Sequence, residues 1–167
     1  MKHLLMIFAL CLTCCVFPKT FSPVFLNTVH ETTLLGDDIL AIQNIEYAHN
    51  RKMKNNNLDY EYLDLCEITA DYQKQWRLVN QLNLAICEIQ NDSGFAACAN
   101  FAQSLYVFVG SDLSGKWHFK LDKAGKTIKD PFKLEHIKRI SNSIIKFDDL
   151  LLKLSNSLYQ MSNNPIK

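Results

Sequence analysis

The strongest constraint in this chain is a run of apolar residues near its end: Ile137, Ile140, Ile144, Phe147, Leu151, Leu154, Leu158 and Met161, separated by steps of 3 and 4 in strict alternation. Only an α-helix brings side chains at that spacing onto one face, and a seven-residue repeat keeps that face against a partner along its whole length. The seam alone demands a helix of roughly 36 Å at 1.5 Å per residue. Asp130 stands ready to accept the unpaired N–H groups of the first turn. Pro131 fits the first helical position, where a missing N–H costs nothing.

A second stripe runs through Leu65, Ile68, Tyr72, Trp76, Val79, Leu82, Ile86 and Ile89, with no Gly or Pro between residues 58 and 91. It predicts another long amphipathic helix, ending at the turn-forming segment Gln-Asn-Asp-Ser-Gly of residues 90–94. A third helix is expected over residues 95–106, although the β-prone Leu-Tyr-Val-Phe-Val at 105–109 could finish as a strand. Upstream, Thr28 and Glu31 have capping-box spacing, and Ile39, Ile42, Ile45 and Ala48 predict a first helix reaching about Met53. The asparagines at 55–57 read as a turn.

Between the third helix and the last, Trp117, Phe119 and Leu121 alternate with His118, Lys120 and Asp122, followed by Gly125 and a return through Ile128. Period-two alternation predicts a short β-hairpin over residues 116–129, with its apolar face inward and Lys116, Lys120, Lys123 and Lys126 concentrated around it. The expected fold is therefore mostly α with a small β component (α+β): a bundle of about four helices with a hairpin inserted before the long C-terminal helix.

At the other end, Lys2 and His3 precede an uncharged apolar run over residues 4–17. This is the pattern of a secretory signal peptide, and the run is too short to span a bilayer by itself. Residues 1–22 are read as that leader, with the cleavage point open, and 23–167 as one domain. Export to a periplasm or the extracellular space follows. Leu12 and Thr13 before Cys14 and Cys15 form a degenerate lipobox, leaving lipid attachment as an alternative. A composition 48% hydrophobic and 11% aromatic supplies a real core and excludes a disordered chain. Charge is uneven: residues 113–167 hold 11 Lys and Arg against 5 Asp and Glu, and residues 1–112 hold 7 against 12. A basic region of this kind can meet an acidic partner.

Three cysteines lie outside the leader: Cys66, Cys87 and Cys98. On one continuous helix Cys66 and Cys87 are too far apart to bridge. Cys87 and Cys98 lie symmetrically about a turn placed between residues 92 and 93, so antiparallel helices leaving it would bring them level, and an exported chain would oxidise them. Buried reduced thiols, and a Cys66 to Cys98 bridge, are the other readings. The segment Gly-Phe-Ala-Ala-Cys-Ala-Asn-Phe-Ala at 94–102 resembles the glycine, cysteine and aromatic-alanine segment of transglutaminase-like and papain-like hydrolases, over less than a quarter of the chain. The resemblance implies Cys98 as nucleophile, His118 as base and Asp130 as orienting group. Chain geometry opposes it, since a helix leaving Cys98 carries the backbone away before His118 can return, and Asp130 already has a role as a cap.

None of the five histidines pairs with a second His, Cys or carboxylate at zinc-site spacing, and there is neither a phosphate loop nor a Gly-x-Ser-x-Gly elbow, so no metal or cofactor is expected. The lysines lack the arginine content usual for nucleic-acid binding. Asn91 begins an N-glycosylation acceptor triplet. The reading is a small exported non-enzymatic binding protein, an inhibitor or immunity-type factor, that meets an acidic protein surface. The alternatives are a hydrolase or transferase using Cys98, and a lipid or membrane-surface binder, a contact that is possible but not favoured.

Overall fold

The computed structural model describes residues 21–53, 59–89 and 92–163. Residues 1–20 of the leader, the turn at 55–57 and the acceptor Asn91 lie outside them. The described residues form helices α1 (Pro23–Met53), α2 (Tyr60–Glu88), α3 (Asp92–Val107), α4 (Gly115–Thr127) and α5 (Pro131–Asn163), with a π-helical segment, Phe108–Ser114, joining α3 to α4. Because the backbone stays right-handed helical through Val107, Ser114 and Gly115, α3, the π segment and α4 make one rod. The described residues therefore make four rods, and no strand occurs among them.

Side-chain pairings fix the topology. Gln73 to Gln43 (2.9 Å) and Asn83 to Thr32 (3.0 Å) run α2 antiparallel to α1. Lys146 to Asp38 (2.7 Å) and Lys153 to Glu31 (3.2 Å) do the same for α5 and α1. Ser155 to Gln103 and Ser114 to Asp148 set the α3–α4 rod antiparallel to α5. Tyr72 hydroxyl against Ser143 places α2 parallel to α5 on the diagonal. This is an up-down-up-down bundle, the arrangement short connections favour.

The two stripes read from the sequence form its interior. Ile137, Ile140, Ile144, Phe147, Leu151, Leu154 and Leu158 are buried on α5, as are Leu65, Ile68, Tyr72, Val79, Leu82 and Ile86 on α2. The predicted cap also holds: Asp130 Oδ1 accepts from the Phe132 N–H at 2.8 Å. On α1 the boundary differs. The helix starts at Pro23, where the Ser22 hydroxyl accepts from the Phe25 N–H at 3.1 Å. Thr28 lies inside the helix, and its hydroxyl donates to the Phe25 carbonyl at 2.7 Å. A buried threonine can satisfy itself this way, which mimics the capping-box signature in sequence. Between α1 and α2, Trp76 lies so close to Gly36 that an added Cβ would collide with the indole. Its N–H donates to the Thr32 carbonyl at 2.9 Å.

The hairpin expected over 116–129 is absent; the segment is helix α4 and its C-terminal connection. Trp117 and Leu121 are buried and Phe119 is 70% exposed. Trp117, Leu121, Ala124 and Ile128 follow steps of 4, 3 and 4, so the same residues carry a helical period that includes Trp117 and Leu121 and omits Phe119. A two-stranded hairpin would also stand alone here, a marginal structure in water, whereas α4 extends a helix already packed. The β-prone residues 105–109 are likewise absorbed into the rod rather than forming a strand.

Candidate functional site

Helicity regroups the lysines. Lys116, Lys120 and Lys123 stand at i, i+4 and i+7 on α4 and share one exposed flank, with Phe119 beside them. None of the three has an ion pair among the described residues, whereas Lys126 pairs with Asp122 at 2.6 Å. Like charges one turn apart repel along a helix, so this flank is electrostatically unsatisfied in the free chain. On α4's other flank His118 acts electrostatically on Asp148 of α5. The Asp148 carboxyl is pushed above the usual carboxylate range by burial, against the opposing effects of Ser114 and His118.

The residues of the hydrolase resemblance do not converge. Cys98 lies on α3 and His118 on α4 of the same rod, 20 residues and therefore close to 30 Å apart. Asp130 is spent capping α5. Burial raises the Cys98 thiol rather than activating it. The bridge between Cys87 and Cys98 is not formed, and no disulfide joins Cys66, Cys87 and Cys98. The reason is the position of the turn: α2 ends at Glu88 and α3 begins at Asp92, so the axis of symmetry lies near residue 90. Cys98 then sits about five residues deeper along α3 than the level of Cys87, roughly 7 Å of axial offset.

A feature the sequence reading missed is a polar cluster inside the bundle, where the end of α1 meets the beginnings of α2 and α5. Glu46, only 7% exposed, accepts from the Thr69 hydroxyl at 2.6 Å and lies 3.1 Å from His136 Nε2. The His136 ring stacks on the fully buried Tyr62 at 5.2 Å, and Tyr62 meets the His49 ring in a tilted contact at 4.0 Å. Lys133 reaches across to Asp59 (2.8 Å) and Glu61 (3.1 Å). Burial raises Asp59, but hydrogen bonds from Lys133 and the Tyr62 N–H outweigh it and hold the carboxyl below its ordinary value. Burial and the nearby Glu46 carboxylate push the Cys66 thiol up to about 11. The signal was present in the sequence: Glu46 continues the Ile39, Ile42 spacing, and His136 precedes Ile140 by one turn, so each is a polar residue at a core position.

Among the described residues no three His, Cys, Asp or Glu side chains are arranged to hold a metal ion, and no helix is long and apolar enough to cross a membrane. A shallow groove of about 280 Å³ runs between α1 and α5, floored by Leu34, Leu35 and Leu150; Cys98, His118 and Asp130 are not in it. The fold defines an all-α, four-rod bundle whose most distinctive surface is the α4 flank. Comparison with protein-family models, with characterised proteins and with solved structures returns no match to this chain.

Proposed function

We propose that the chain is a small exported binding protein that acts by surface complementarity, as an inhibitor or immunity-type factor, and meets an acidic protein surface through the α4 flank. The observation that carries this reading is Phe119, 70% exposed on a helix whose Lys116, Lys120 and Lys123 have no ion pair among the described residues. An aromatic side chain ringed by charge is the usual composition of an interface anchor with its polar rim. Lysines there raise the association rate with an acidic partner and make it salt-dependent.

The test is a pull-down from the native compartment with the wild-type chain, with Phe119→Ala and with Lys116, Lys120 and Lys123 all changed to Glu. Both variants are expected to lose the same partner, and undiminished capture by the charge-reversed chain removes α4 from the reading. The membrane-surface alternative needs the α5 seam exposed, and that seam is buried. Co-sedimentation with anionic vesicles is accordingly expected to fail.

A further inference from the structure

We propose that α4 is a mobile segment, able to come away from the bundle and open as one block between the π-helical segment before it and the non-helical residues 128–130 after it, while α1, α2, α3 and α5 stay packed. Three independent features of the rod converge on this. The first is the junction itself. Seven consecutive residues, Phe108–Ser114, are wound in π geometry. That geometry is rare, normally limited to a single turn, and concentrated at functional positions. Gly110 lies inside it and Gly115 immediately follows. A Cβ on Gly115 would meet nothing within 4 Å, and one on Gly110 only Tyr106 at 3.9 Å. Packing therefore does not require glycine at either place; what two glycines supply there is a backbone that changes conformation at low cost.

The second feature is the asymmetry of anchoring along the rod. α3 packs along α5 over most of its length, burying Phe95, Ala99, Ala102 and Leu105. Within α4 only Trp117 and Leu121 are buried, with Ile128 buried at its C-terminal cap, and its contacts with α5 and α2 are sparser than those of α3 with α5. Segments with few buried contacts open locally at far lower free energy than the core that surrounds them.

The third feature is the clasp. Ser114, the last residue of the π segment, donates its hydroxyl to Asp148 Oδ2 at 2.5 Å, the polar tie nearest the junction. The other oxygen of that carboxylate, Oδ1, is buried with no hydrogen-bond partner among the described residues. An unsatisfied buried carboxylate oxygen favours the state in which water reaches it. Repulsion among Lys116, Lys120 and Lys123 acts in the same direction, because the docked helix holds them in line. An acidic partner would relieve that repulsion. The segment carries the flank assigned to partner binding, but its opening belongs to the free chain, so either reading can fail without the other.

Hydrogen exchange of the full-length chain, read by mass spectrometry, tests this opening without any partner. Amides in residues 115–127 are expected to exchange as one block at least about tenfold faster than those in α3 and in the 137–158 part of α5. Ser114→Ala should speed exchange of that block and leave α3 unchanged. Gly110→Ala with Gly115→Ala, for which there is space, should slow it by stiffening the junction. Exchange of 115–127 only in step with α3 and α5 overturns the proposal. A block that opens independently but ignores both glycine substitutions overturns the π segment as its flexible boundary.

Discussion

Replacing His136 with alanine probes the buried polar cluster most directly. The imidazole is 2% exposed, and its Nε2 lies 3.1 Å from Glu46 Oε1, an oxygen that otherwise receives only the Thr69 hydroxyl. Truncation leaves the Glu46 carboxyl in the interior without its strongest partner and opens a space beside Tyr62. Breaking one side of a buried pair in this way costs about 3–5 kcal/mol. For a domain of this size each kcal/mol lowers the melting temperature by about 2–4 °C, so a fall of about 6–20 °C is expected. Urea unfolding followed by far-UV circular dichroism measures the free energy directly. The control is the pair Glu46→Leu with His136→Leu, which removes both polar groups at once. It should recover most of the loss, because two apolar groups leave nothing unpaired. A cost below about 1 kcal/mol for His136→Ala, or strict additivity of the two leucine substitutions, would refute the coupling on which the argument rests.

Gly36→Ala drives a methyl into the Trp76 indole and should cost about 1–3 kcal/mol, with a red-shifted tryptophan emission as the ring is displaced. Asp59 is held below its ordinary value and Lys133 above its own, so their contribution is complete at neutral pH. It should be lost as pH falls through the depressed carboxyl value and as pH rises through the elevated ammonium value; Asp59→Asn should flatten the acid limb of the stability profile. Asp148 has the opposite sign: its raised carboxyl costs stability once ionised, so Asp148→Asn should stabilise the chain most at neutral pH and least in acid, as read by melting temperature across pH. Cys98 should react slowly with a mild alkylating agent at pH 7, because burial raises its thiol; rapid selective labelling would contradict that environment.

Helix content and the two long core faces were legible because each depends on local periodicity alone. The steps of 3 and 4 in α5 and the stripe of α2 bury the residues they predict except Trp76, Ile89 and Met161, which are partly buried, and Asp130 with Pro131 marks the start of α5. Segment 116–129 was not legible in the same way. Trp117, Phe119 and Leu121 satisfy a strand period, while Trp117, Leu121, Ala124 and Ile128 satisfy a helical one, and over so short a stretch the two cannot be separated by pattern. The surroundings chose between them: α5 and α2 offered a surface for a helix and no strand with which to pair. The sulfur pairing failed for a related reason, since moving the turn by about two residues displaces two thiols along antiparallel helices by several ångströms.

Periodicity, then, determined that this chain makes long amphipathic rods, because a helix face is a property of residues three and four apart. Tertiary structure alone decided which polar residues those rods would enclose. Glu46, Thr69 and His136 lie 23 and 67 residues apart along the chain and become neighbours only when three helices close on one another. It also decided that the lysines of α4 would line one flank beside Phe119, since only the packing of Trp117 and Leu121 fixes which side of that helix faces water.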